Sequence, residues 1–216
     1  MPTKEELENL VEKKVRPIVE KAMQDYLGIT IAEIESDISD RLKRSPLIDF
    51  EIDTKIPFKS AKKAFKRTYI SKLLKLYSGN ISDVANSSGL DRRSIHRLVI
   101  ELKIKVDSFR KEMSQDYVKQ AAVQTIVEKA VGPYKSALNP DKLKTFYEHA
   151  PSISKNIARE LPAHPLVFLA AEREFERAYL KKALEENNHN ISETARKIKL
   201  RFETLHRKLK ALNLSP

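Results

Sequence analysis

The chain predicts an all-α fold built on a tandem duplication, and three observations carry that prediction. Residues 190–214, NISETARKIKLRFETLHRKLKALNL, fall into two short helical periods around a turn at Lys199 and Leu200. From Phe202 onward, Leu205, Leu209 and Leu212 recur at i, i+4 and i+7, and Arg207, Lys208 and Lys210 lie off that apolar stripe. The same grammar occurs at 80–104, NISDVANSSGLDRRSIHRLVIELKI, and an offset of 110 aligns 58–104 with 168–214 without a gap, with fifteen of the 47 pairs identical. The third observation is that VEKAVGP at 127–133 echoes VEKKVRP at 11–17, which extends the repeated unit to an arm ahead of each copy. The division that follows is a helical arm at 1–56, a first helix-turn-helix unit at 57–105, a second arm at 106–164 and a second helix-turn-helix unit at 165–216.

Each element has a local reason. Residues 3–26 carry an apolar stripe from Leu7 and Val11 to Met23 and Tyr26. Pro17 interrupts it, as a kink or as the first turn of a new helix. Gly28 and Thr30 mark a stop and a restart, and Ile31, Ile34, Ile38 and Leu42 continue at helical spacing to about Arg44. Residues 45–57, with two prolines and several acidic side chains, read as a linker or an extended wrap. A longer helix over 58–78 is expected to bury Phe65, Tyr69, Leu73, Leu74 and Leu76. Gly79 and Asn80 end it and open the first helix-turn-helix, where Gly89 supplies the freedom a tight turn needs. Helical patterns return at 108–131, 140–150 and 152–161, and Pro162 and Pro165 precede the second long helix at 165–187. Asn190 or Ser192 can cap the short helix that follows, and Ala195 leaves room for a close crossing.

Composition bounds what such a repeat can do. With 216 residues, 41% hydrophobic and 33% charged, the chain can bury a core. The absence of cysteine excludes disulfides, thiolate metal sites and cysteine nucleophiles, and is compatible with a reducing compartment. No apolar run reaches the roughly 18 residues of a membrane span, and the N-terminus has no signal-peptide core, so no membrane partner and a cytoplasmic location are expected. The pattern G-x-x-x-x-G-K does not occur, which argues against nucleotide hydrolysis. Net charge is +11, distributed as −4 over 1–56, +9 over 57–105, +2 over 106–164 and +4 over 165–216. Positive charge therefore collects in the repeated units, as phosphate binding requires. Nothing points to a catalyst, a metal or a cofactor: His96 and His206 have no second ligand at metal-binding spacing, and Glu172, Glu174, Glu176, Glu185 and Glu186 read as solvated surface. Tyr69 and Tyr179, on apolar stripes, read as core. Lys62, Lys63, Lys66, Arg173 and Arg177 on the long helices read equally as solvated surface or as phosphate contacts.

The long helix ending in a polar turn, the N-I-S-x-x-A start and the basic [ST]-[IL]-H-R helix together resemble the DNA-binding module of the Fis type. That module is shared by a small nucleoid protein and by nitrogen-regulator-type enhancer-binding activators. The resemblance covers about 47 residues in each copy. It implies a module that dimerises through its long helices and places two recognition helices in successive major grooves of double-stranded DNA, often bending the duplex. Position by position, it implies contacts from Asp91, Arg92, Ser94 and Arg97 in the first copy and from Arg201, Phe202, Thr204 and Arg207 in the second. Asp91, Phe202 and Lys199 depart from the family pattern, Lys199 standing where the first copy has its turn glycine. The candidate DNA-contacting set is Arg92, Arg93, Ser94, His96 and Arg97, with Arg196, Lys197, Arg201, Thr204, His206, Arg207 and Lys208. Regulation of transcription or nucleoid architecture would follow, with a homodimer or an intramolecular pseudo-dimer of the two halves as the assembly. The other reading is a protein-interaction co-regulator that keeps the fold without DNA contact. One asymmetry is expected: Leu98 and Ile100 stand where the second copy has Lys208 and Lys210, so the C-terminal half of the first recognition helix should be buried against another element.

Overall fold

The computed structural model describes residues 4–44, 50, 52–110, 114–162 and 166–214. Among them every regular element is helical. The first helix α1, Lys4–Leu10, runs through a π turn at Val11–Val15 into α2, Arg16–Leu27. Pro17 lies near the start of α2 inside this continuous helical run, and the π turn just upstream takes up the change of register that its ring and missing N–H impose while Val11 and Val15 stay fully buried. Gly28, at φ 74°, closes α2 by donating its N–H to Met23 and Gln24. Then come α3, Ala32–Arg44; α4, Phe58–Leu76; α5, Ile81–Ser88; α6, Arg92–Glu101; a 3-10 turn, Val106–Phe109; α7, Gln115–Val131; and α8, Pro140–Glu160. The chain ends in α9, Phe168–Glu185; α10, Ile191–Lys197; and α11, Phe202–Ala211. The two helices expected at 140–150 and 152–161 are one. Pro151 sits inside α8, and Phe146, Ala150, Ile153 and Ile157, all buried, supply packing that outweighs the hydrogen bond the proline cannot make.

The two arms form one bundle. In it α8 lies against α2 and α7, and α3 lies against α7, so Val11, Val15, Val127 and Val131 share a core. Tyr26 stacks on His149 with ring centroids 4.3 Å apart. The bundle joins the rest of the protein where α7 meets α4 and α3 meets α9.

The long helices α4 and α9 pack on each other in opposite directions. Phe58 meets Tyr179 and Tyr69 meets Phe168, each pair edge-on at 5.3 Å, and Phe65 stacks on Phe175 at 4.7 Å between them. The contacts come in pairs related by the offset of 110. Tyr69 donates its hydroxyl to the Leu166 carbonyl at 2.8 Å and Tyr179 donates its own to the Ile56 carbonyl at 2.6 Å. Lys62 binds Glu176 at 2.6 Å, and Lys66 binds Glu172 at 3.2 Å. Burial pushes the Tyr179 phenol up to about 12 and Tyr69 upward as well, so both remain protonated donors. Residues 45–49 and 51 of the expected linker lie outside the described residues. The others form a wrap: Phe50 sets its edge against both Phe65 and Phe175, and Lys182 donates to the Ile52 carbonyl.

Backbone conformation follows the same offset. Ser78 and Asn188 both have φ 48°, Gly79 and His189 have 78° and 60°, Gly89 and Lys199 have 69° and 55°, and Lys103 and Asn213 have 53° and 52°. These left-handed positions close one helix and redirect the chain into the next. At the α10–α11 turn Lys199 carries a Cβ in a region that favours glycine. Lys199→Gly is therefore expected to raise stability by about 0.5–1 kcal/mol, net of the added freedom of the unfolded chain, in urea denaturation.

Candidate nucleic-acid interface

The pair α5 and α6 is fixed by two caps. Asn80 accepts from the N–H groups of Ser82 and Asp83, which starts α5. Asp91 accepts from the Ser94 N–H at 2.8 Å and from its hydroxyl at 2.6 Å, which starts α6. The Ser94 bonds hold the Asp91 carboxyl below the usual range. Val84 and Ala85 of α5 and Ile95 and Val99 of α6 are buried, with Leu102 and Ile104 continuing the stripe beyond the helix. The opposite face of α6 is exposed: Arg92, Arg93, His96, Arg97 and Ile100. Among the described residues, none of the three arginines makes an ion pair.

The pair α10 and α11 has a similar layout. Asn190 caps α10 by accepting from the Glu193 N–H, so the cap is Asn190 rather than Ser192. Leu205 and Leu209 of α11 are buried with Leu212 beyond it. Exposed are Arg201, Phe202, Glu203, His206, Arg207 and Lys210, with Phe202 stacked on His206 at 6.2 Å. Arg196 and Lys197 are exposed in the last turn of α10, where Lys197 pairs with Glu193 at 3.2 Å.

The candidate set thus divides. Arg92, Arg93, His96 and Arg97 share the outer face of α6, and His206 and Arg207 share that of α11, with Arg201, Arg196 and Lys197 beside the turn that leads into it. Ser94 and Thr204 are half-buried at the equivalent position, and the Ser94 hydroxyl is engaged by the cap. Lys208 is drawn inward: its ammonium donates to Glu176 at 2.7 Å and lies 5.1 Å from the centre of the Phe58 ring. Glu203 and Lys210, outside the candidate set, are exposed on the same helical face as His206 and Arg207.

Two expectations are overturned. Ile100 is 77% exposed, so α6 is not buried along its C-terminal half; only Leu98 of the pair is half-buried against the core. Of the acidic side chains on and after α9, Glu185 and Glu186 are exposed as expected, but Glu172, Glu174 and Glu176 are not solvated surface. Glu174 and Glu176 are only 8% and 9% exposed, Glu174 pairing with Lys4 at 2.8 Å and Glu176 with Lys62 and Lys208. Lys62 and Lys66 are accordingly committed to α9, while Arg173 donates to the Ala211 carbonyl at 2.9 Å. Among the described residues no group of three His, Asp or Glu side chains could hold a metal ion, and no helix is long and apolar enough to cross a membrane.

Residues 172–212, most of α9 with all of α10 and α11, match the model of a family described as bacterial regulatory protein, Fis family. Comparison with curated proteins and with solved structures gives no match.

Proposed function

We propose, with the match of residues 172–212 to the Fis family as premise, that the chain is a non-catalytic double-stranded DNA-binding regulator made of two duplicated Fis-type units. Lys and Arg side chains displace counterions from phosphates while α6 and α11 occupy the major groove. The observation that carries this reading is the antiparallel pairing of α4 with α9, which joins the units through contacts repeated at an offset of 110 and leaves arginines exposed on the outer faces of both second helices. The assembly is a pseudo-dimer within one chain. A cytoplasmic, nucleoid-associated place of action and a role in transcription or chromosome architecture go with it.

A mobility shift on random-sequence duplex at low and moderate salt tests the reading. Arg97→Ala with Arg207→Ala should weaken binding and flatten the dependence of log K on log salt by about 0.9 per lost phosphate contact, or about 1.8 for the pair. Unchanged affinity and slope would favour a co-regulator that binds protein instead.

A further inference from the structure

We infer that the chain reads a non-palindromic duplex as a monomer, with α6 on one half-site and α11 on a chemically different one in a fixed orientation. This rests on the DNA-binding reading above and specifies its target.

The first support is the wall between the units. Positions 62 and 172 correspond across the offset of 110, as do 66 and 176, yet the first unit has Lys at both and the second has Glu at both. Lys62 binds Glu176 and Lys66 binds Glu172 across the wall. Pairing α4 with α4 of another copy would set lysine against lysine, and pairing α9 with α9 would set glutamate against glutamate. Like charges brought together at a half-buried interface are a penalty against the wrong partner. Every pair of reading heads is therefore one α6 with one α11.

The second support is the heads themselves. The outer faces align as Arg93 with Glu203, His96 with His206, Arg97 with Arg207 and Ile100 with Lys210, all eight side chains exposed. The centres are identical and the ends differ in charge or polarity. An arginine reads guanine through O6 and N7, whereas a glutamate accepts from the N4 amino group of cytosine. Corresponding positions of the two half-sites then ask for different bases, while a symmetric dimer asks for the same one twice.

The absence of cysteine makes a clean test. Ile100→Cys and Lys210→Cys, each the sole cysteine of a full-length chain, are labelled with an iron chelate that cleaves nearby DNA. Sites are first selected from a random-sequence duplex pool, and the mass of the complex is measured by light scattering. The expected result is one chain per duplex, a selected site with unlike halves, and cleavage at opposite ends by the two conjugates. In Glu203→Arg, base preference should change in the half cut by the Lys210→Cys conjugate and nowhere else. A palindromic site, two chains per duplex, or equal cleavage of both ends by each conjugate overturns the inference while leaving DNA binding intact. Failure to retain any duplex at low salt overturns the DNA-binding reading and this inference with it.

Discussion

Reversing two charges on α4, Lys62→Glu with Lys66→Glu, will destabilise the protein by about 3 kcal/mol, because Glu172 and Glu176 lose their partners and face two new carboxylates in a half-buried wall. Burial disfavours the Glu176 carboxylate, but hydrogen bonds from Lys208 and Lys62 outweigh it and hold the carboxyl below its ordinary value of 4.5. Burial likewise works against the Lys62 ammonium, and Glu176 outweighs it, so both partners favour the charged pair. For a depressed acid, the contribution to stability is present above the unfolded value and is lost as pH falls through the folded one. The native protein should thus weaken on acidification below about pH 4.5, and the deficit of the double variant should shrink over the same range, since its crowded carboxylates welcome protons. Adding Glu172→Lys and Glu176→Lys will restore only part of the loss, because the Lys208 ammonium would then confront a second ammonium where it now meets the Glu176 carboxylate. Replacing Lys208 with leucine, the residue at the matching position of the first unit, should complete the rescue. Urea denaturation at pH 7 and pH 4 reads all of these.

Phe175→Ala will cost about 3–5 kcal/mol, and its effect will be felt in both units at once. Phe175 is 2% exposed, stacks on Phe65 and takes the edge of Phe50, so truncation opens a cavity at the centre of the pairing. Each unit is also tied to the segment leading into the opposite long helix, through Tyr69 to Leu166 and Tyr179 to Ile56, and the Phe58 N–H donates to Ile198 at the end of α10. Amide exchange should show protection falling together in α5, α6, α10 and α11. Retained protection in α5 and α6 would mean that the units are stable independently.

Local features of the fold were legible in the sequence. The long helix expected over 58–78 is Phe58–Leu76, Asn80 stands where the next helix was expected to open, Asn190 is the cap of the two offered for α10, and the turn at Gly89 takes the conformation a glycine permits. These depend on residues a few positions apart. The wall between the units did not read out, because Glu176 is the same letter whether it faces water or Lys62, 114 positions away. Ile100 misled for a related reason: six apolar residues over 95–104 suggest two buried faces, but Ile95, Val99 and Leu102 suffice for the core and Ile100 falls outside their stripe. The echo between 11–17 and 127–133 pointed to two arms and not to their merging into one bundle, since the partner of a helix face is not written in that face.

Lys199 has a consequence for how such a protein changes over generations. In a symmetric dimer one codon sets the same turn in both subunits, so a residue that strains the turn does so twice. Here the first turn keeps Gly89 while the second holds a lysine at φ 55°, and the strain enters the molecule once. Helices α6 and α11 are each written in their own stretch of gene. On the DNA-binding reading proposed above, a substitution in α11 is tried against an unchanged α6, and recognition drifts by half a site at a time.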